Sequence, residues 1–304
     1  MRFECPHPIP YQGSKRLLAP AILSFTRKGD FVRLIEPFAG SAAITLAAAQ
    51  RGLFQRYVIA DVLKPLTEIW RLVIDSPSRL SQDYRRLWES QRGTKSCIRF
   101  NSIRAEFNGD QDPAKLLYLL ARCVKNAVRF SSKGEFNQSP DNRRQGMRPE
   151  TMEAEIHAAH RLLRGKTEII CGDFRQVLRM AHERDLVYMD PPYQGVTHTR
   201  DRRYIQGVHR ADMIGVLSEL NHRSVQYILS YDGHCGGKTY GEPLPTELGA
   251  HRLLLETGRS SQATLSGRNH VTVESVYLSR GLWAPGTPTH AHLKTFETQT
   301  GLFA

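Results

Sequence analysis

Apolar residues recur at helical spacing from Ser14 to Phe25, at Leu17, Leu18, Ile22 and Phe25, with Ser14 placed to cap a helix. Phe31 to Ile35 is a short, mostly apolar run and predicts a buried strand. Glu36 to Gly40 reads as a turn, and the alanine-rich stretch Ser41 to Gln50 as a helix. Tyr57 to Ala60 predicts a second strand, ending at Asp61. Strand, turn, helix and strand in this order open a doubly wound sheet. From about Ser76 to Lys166 the pattern becomes mostly helical, basic and rich in Arg, Gln and Asn. Its stretch from Ser131 to Arg148 is too hydrophilic for a core. Strand character returns at Thr167 to Ile170, at Leu186 to Met189 and at Val225 to Ser230. His270 to Leu278 alternates and predicts an antiparallel strand. The tail from Leu282 to Ala304 has little periodicity and is expected to be poorly ordered. The whole predicts an α/β protein with a doubly wound, mostly parallel sheet. Residues 1–75 and 167–281 would form the sheet domain, 76–166 an inserted, mainly helical one, and 282–304 a tail.

Composition narrows the function. The 304 residues carry 42 Lys/Arg against 30 Asp/Glu, a net charge of +12, which favours a polyanionic partner. From Tyr84 to Lys166 there are 17 Lys/Arg and nine Asp/Glu, so two-thirds of the excess lies in about a quarter of the chain. No apolar run is long enough to span a bilayer, and Met1 to Pro10 lacks a signal-peptide core. Five scattered cysteines without a CxxC pair predict reduced thiols in a cytoplasmic protein rather than zinc ligands or disulfides. His157 and His160 share a helical face with no third ligand spaced to join them, so solvated imidazoles are expected and no metal site.

The strongest chemical signal is Asp190-Pro191-Pro192-Tyr193 at the end of an apolar strand, where open α/β sheets bind ligands. The exocyclic amine of adenine is a poor nucleophile because its lone pair is delocalised into the ring. Asp190 and a rigid proline carbonyl would accept its two hydrogens and localise that pair. Tyr193 offers a face on which a flipped base can stack. The tetrapeptide would also suit a proline-rich turn. Glu36-Pro37-Phe38-Ala39-Gly40-Ser41 follows a strand and opens a helix, and its small residues allow a cofactor close to the backbone. Asp61, one strand later, suits a ribose diol and equally a cap. Asp173 and Phe174, in Cys171-Gly172-Asp173-Phe174, could meet an adenine ring or form a plain loop. Tyr11-Gln12-Gly13-Ser14-Lys15 sets an aromatic and a cation at a helix start.

Taken in order, these motifs resemble the Dam-like family of N6-adenine-specific DNA methyltransferases. Tyr11 to Lys15 resembles its N-terminal cofactor motif, Glu36 to Gly40 its cofactor loop, Asp61 its ribose acid and Asp190 to Tyr193 its catalytic motif. Lys125-Asn126-Ala127-Val128-Arg129-Phe130 and Gly134-Glu135-Phe136-Asn137 are similar to the pattern preceding its target-recognition elements. The resemblance runs from Tyr11 to about Ser279. It implies a Rossmann-like fold binding S-adenosylmethionine, with Tyr11, Lys15, Asp61 and Asp190 lining the cofactor pocket and Asp190 also meeting the target amine. It implies double-stranded DNA as partner, with or without a cognate restriction endonuclease, and a bacterial or phage-derived, nucleoid-associated monomer.

DNA contacts are expected from Lys125, Asn126, Arg129, Lys133 and Asn137, and from Arg143, Arg144 and Arg148 beyond them. Arg200, Arg202, Arg203 and Arg210 follow the catalytic motif, where a loop would meet phosphates or bases. Arg259, Ser260, Ser261 and Asn269 lie in a polar loop that could touch DNA as well. Tyr11 stands where some members have Trp, Ser131-Ser132 where many have Asn nearby, and Gln138 to Arg148 is more basic than the pattern. These departures bear on the target sequence, not the reaction. The competing chemistries are N4-cytosine methylation, where Ser is more usual than Asp190, and glutamine methylation, where Asn-Pro-Pro-Tyr is usual. A DNA-binding module without catalysis would be expected to have lost Asp190 or the cofactor loop.

Overall fold

The computed structural model describes residues 5–92, 96–192, 208–235, 238–259 and 271–292. Its strands are β1 (Arg33–Glu36), β2 (Arg56–Asp61), β3 (Thr167–Cys171), β4 (Asp185–Met189), β5 (Gln226–Cys235), β6 (Lys238–Tyr240), β7 (His251–Arg259), β8 (Val271–Leu278) and β9 (His290–His292). Its helices are α1 (Ala19–Ile22), α2 (Ala43–Gln50), α3 (Lys64–Asp75), α4 (Pro77–Glu89), α5 (Ser96–Asp110), α6 (Pro113–Arg122), α7 (Pro149–Leu163), α8 (Phe174–Arg179) and α9 (Arg210–His222). All strands join one sheet, ordered β3-β2-β1-β4-β5-β8-β7-β9, with β6 paired to β5. β3, β2, β1, β4 and β5 are mutually parallel, and β8 is antiparallel to both β5 and β7. The strand order reverses between β1 and β4, which opens a crevice at their carboxyl ends.

β4 is buried at all five positions, as expected for a parallel strand covered on both faces. Its one charged residue, Asp185, lies opposite Arg33 in register and holds that guanidinium through two bonds of 2.7 and 3.0 Å. One face of the sheet packs against α1, α2 and α3, and the apolar cluster there continues without a break into α4–α7. Trp70, Tyr84, Tyr118, Met152 and Ile156 belong to it together with Leu34 and Tyr57 of the sheet. The other face packs against α8 and α9.

The antiparallel half departs from the pattern read in the sequence. β7 and β6 were not predicted, and β5 runs on to Cys235 past a register shift after Ser230. The expected disorder of the tail is corrected as far as His292. β9 pairs with β7, and Trp283 stacks on His251 with ring centroids 5.1 Å apart. The helix expected from Ser14 to Phe25 is broken into two 3-10 turns around the single turn α1, which holds Pro20. Ser14 does not cap it; its hydroxyl accepts from the Ser41 hydroxyl at 3.0 Å. His160 is not simply solvated, since its Nδ1 lies 2.8 Å from the Ile74 carbonyl near the end of α3.

Candidate active site

A cavity of about 590 Å³ lies at the carboxyl ends of β1, β2 and β4. Its size suits a cofactor or drug-sized ligand. The turn from Glu36 to Ser41 forms one wall. Gly40 has φ +49°, and a Cβ there would stand 3.2 Å from the Tyr11 ring, so both backbone and space call for glycine. Its N–H donates to Asp61 Oδ2 at 3.1 Å, and its carbonyl accepts from the buried Trp70 indole at 3.0 Å. Asp61 Oδ1 accepts the Leu63 N–H at 3.0 Å. Asp61 therefore braces two loops as well as lining the cavity, and burial raises its pKa. Glu36, only 3% exposed, accepts from the Thr45 N–H and hydroxyl at 3.0 and 2.6 Å. Burial pushes its carboxyl up to about 8.

Phe38 and Phe174 form an apolar wall, their ring centroids 5.0 Å apart. Asp173 lines the same wall but is already engaged. It caps α8 through the Arg175 N–H and pairs with that guanidinium, which holds its carboxyl below the usual range.

Asp190 follows the last residue of β4, and Pro191 and Pro192 line the cavity beside it. Both its oxygens face the Lys15 ammonium, at 2.8 and 3.0 Å. Lys15 is 6% exposed and Asp190 20%, so the pair is largely withdrawn from water. Burial outweighs the lysine and raises the Asp190 carboxyl to about 6. Beneath it the buried Tyr188 hydroxyl lies 3.1 Å from Ser230 Oγ. Glu274 of β8 reaches the same lysine at 3.6 Å.

The structure thus brings Tyr11, Lys15, Glu36, Pro37, Phe38, Gly40, Ser41, Asp61, Asp173, Phe174, Asp190, Pro191 and Pro192 to one cavity. Tyr193, Arg200, Arg202 and Arg203 lie outside the described residues, as do Ser260, Ser261, Asn269 and the Arg259 side chain. Arg210 starts α9 and is tied to the Pro243 carbonyl at 2.8 Å, with Glu242 3.7 Å away. Sequence reasoning missed Trp70, Tyr188 and Glu274. Trp70 and Glu274 meet the site from distant parts of the chain, whereas Tyr188, two residues before Asp190 on the buried β4, reads locally as core.

The Asn126 motif joins the helical 76–166 segment to the cavity. Lys125 and Asn126 both adopt left-handed backbone, at φ +60° and +53°. That bend turns the Asn126 carbonyl to the Gln12 N–H at 2.9 Å and its amide to the Leu120 carbonyl at 2.8 Å. Val128 and Phe130 then reach the cavity wall. Lys125, Lys133, Asn137, Arg143, Arg144 and Arg148 are exposed, and Arg129 is half-buried. Arg144 pairs with Asp141 at 2.7 Å, whereas Lys125, Lys133, Arg143 and Arg148 have no ion-pair partner among the described residues. A second cavity of about 660 Å³ is lined by Asn126, Arg144 and Arg148, and by Arg92 stacked on Trp88. Arg122, 1% exposed, lies below the Asp141 to Gly146 loop and donates to Gln91 Oε1 and to the Asp141 and Arg144 carbonyls.

A parallel sheet with an antiparallel end, and a cofactor-sized cavity at its switch point ringed by these motifs, defines a Rossmann-like methyltransferase fold. Residues 11–252 match the family of D12 class N6 adenine-specific DNA methyltransferases, and the chain belongs to it. It is 26% identical to the DNA N-6-adenine-methyltransferase of Escherichia phage P1, over 66% of this chain and 26% of that protein. It is 27% identical to the type II methyltransferase M.MjaIII of Methanocaldococcus jannaschii, over 57% and 62%. With the DNA adenine methylase of Salmonella typhi it shares 28%, over 67% and 73%. The chain therefore spans about a quarter of the phage relative and under two thirds of the Methanocaldococcus one.

Proposed function

We propose that this chain transfers a methyl group from S-adenosylmethionine to the N6 amine of a flipped-out adenine in double-stranded DNA. The observation that carries the reading is the buried Lys15–Asp190 pair at the end of β4, which opens into the same cavity as Asp61 and the Glu36 to Ser41 loop. The residues present fit the cofactor. The Phe38–Phe174 wall suits an adenine ring, the Asp61 carboxylate a ribose diol, and the volume a molecule of that size. When bound, S-adenosylmethionine supplies an electrophilic methyl group on a sulfonium.

The chain's own residues do the rest. Asp190 and the Pro191 carbonyl accept the two amine hydrogens, which localises the nitrogen lone pair and turns it toward the methyl. As the nitrogen gains the methyl it sheds one proton, and the Asp190 carboxylate stands ready to take it. Tyr193, following Pro192, supplies a stacking face for the flipped base. Much of the acceleration comes from holding the reactants together. The basic region 76–166 serves as the DNA-binding element, through the exposed cations of the Lys125 to Arg148 stretch.

No helix among the described residues is long and apolar enough to cross a membrane. A bacterial cytoplasm is in keeping with the phage and Salmonella relatives, and on this reading the chain acts as a monomer with a cognate endonuclease as an optional companion. Tritium transfer from labelled cofactor to duplexes containing methylatable adenine only, or cytosine only, tests the reading. Label in adenine is the expected result, label in cytosine replaces it with N4-cytosine methylation, and label in neither overturns it.

A further inference from the structure

Asp190 has two competing partners in the proposed reaction. Both its oxygens are taken by the Lys15 ammonium, yet it must also accept from the target amine. The same ammonium lies 3.4 Å from the Gly13 carbonyl and 3.6 Å from Glu274 Oε2. Glu274 comes from β8, opposite Gly233 just past the irregularity in β5. A Cβ on Gly233 would stand 2.6 Å from the Val273 carbonyl, so glycine permits the close approach that places Glu274 here. We propose that Glu274 is a positioning residue, which draws Lys15 away from Asp190 when the target amine docks.

Geometry and charge support this together. A displacement of about 1 Å carries the ammonium from Asp190 into a full charge-assisted bond with Glu274. Glu274 sets a second carboxylate within reach of the lysine. The amine nitrogen becomes cationic as it gains the methyl and before it loses its proton. An ammonium fixed on Asp190 repels that cation in a poorly solvated cavity, and one drawn toward Glu274 repels it less. Among the described residues, Tyr188, bonded to Ser230, and Glu36, held by Thr45, are further titratable groups that act on or are acted on by Asp190.

The inference rests on the methylation reading, and its test separates the two. Glu274→Gln keeps the side-chain shape, and Glu274→Asp keeps the charge. The full chain is assayed for kcat and KM across pH. The Asp190 carboxyl is also titrated by NMR in cofactor-free, carboxyl-labelled protein. For Glu274→Gln the expected result is a fall in kcat of at least about tenfold, with cofactor and DNA affinities within about twofold. Glu274 holds the Asp190 carboxyl up and Lys15 holds it down. The Asp190 titration therefore moves to lower pH in Glu274→Gln, to higher pH in Lys15→Met, and returns toward the wild-type position in Glu274→Asp. An unmoved titration overturns the proposal whatever kcat does, and so does an unchanged kcat. If the wild type methylates no adenine, the functional reading fails instead, and the titration still decides whether Glu274 acts on Asp190.

Discussion

Asp190, Asp61 and Glu36, three of the carboxylates that line the cavity, are held in three ways, and their substitutions should differ accordingly. Asp190→Ala removes the amine acceptor without touching the exposed cations of the insertion. Methyl transfer should be abolished while DNA binding, read by gel shift, stays within about threefold of wild type; near-normal turnover would remove Asp190 from the mechanism. Asp61 braces Gly40 and Leu63 as well as facing the cavity, so Asp61→Ala would confound a loop defect with a lost ribose contact. Asp61→Asn keeps the side-chain shape and one acceptor oxygen, so one of the two braces survives. Calorimetry should show cofactor binding weaker by about 1.5–3 kcal/mol for loss of hydrogen bonds to a charged group, with a thermal midpoint lowered less than in Asp61→Ala. Glu36 affects stability. Its folded pKa of about 8 lies above the ordinary value of 4.5, so the folded state holds the proton more tightly. The stability this gives is fully present below pH 4.5 and is lost as pH rises through 8. Glu36→Gln should flatten that decline in denaturant melts by an amount on the order of a few kcal/mol, and parallel pH curves would contradict it.

Elements differ in how much of their role could be read locally. The apolar runs of β1, β2 and β4 are short and continuous, and each is followed directly by an acid that lines the cavity (Glu36, Asp61 and Asp190), so strand and candidate site could be placed together. β7 begins His251-Arg252 and carries Glu256, which blurs its alternation, and β9 is three residues long with its partner far away in sequence. Trp70 was hidden in the same way: on α3 its indole looks like core, and only the fold brings it to the Gly40 carbonyl. The Gln138 to Arg148 stretch was legible as basic but not as differentiated. Arg144 is spent on Asp141, while Arg143 and Arg148 have no such partner among the described residues. Arg143→Ala should therefore relax the preference at one flanking base pair, by about 1–3 kcal/mol in competition binding. Uniform weakening with a salt slope lower by about one would make it a phosphate contact instead.

At the scale of the whole molecule, the tail and the insertion are both tied into the sheet. Deleting residues 284–304 removes β9 and uncovers the edge of β7. The thermal midpoint should fall by a few degrees, at about 2–4 °C per kcal/mol lost, with cofactor affinity unchanged, because no described cavity-lining residue comes from the tail. An unaltered midpoint would show that β9 adds nothing to the edge. The apolar cluster that runs from the sheet through α3 into α4–α7 also explains why a change of character near Ser76 was easy to see, while the continuity of packing beneath it was not. Periodicity reports which face of a helix is buried, but not against what. One side chain has a consequence for how such a protein can diversify. Arg122 grips the Asp141 to Gly146 loop by main-chain carbonyls, groups that every amino acid possesses. The identities of Asn142, Arg143 and Gln145 can therefore be exchanged while that anchoring persists, so if the loop reads DNA as proposed, new target preferences can be explored there without rebuilding the scaffold.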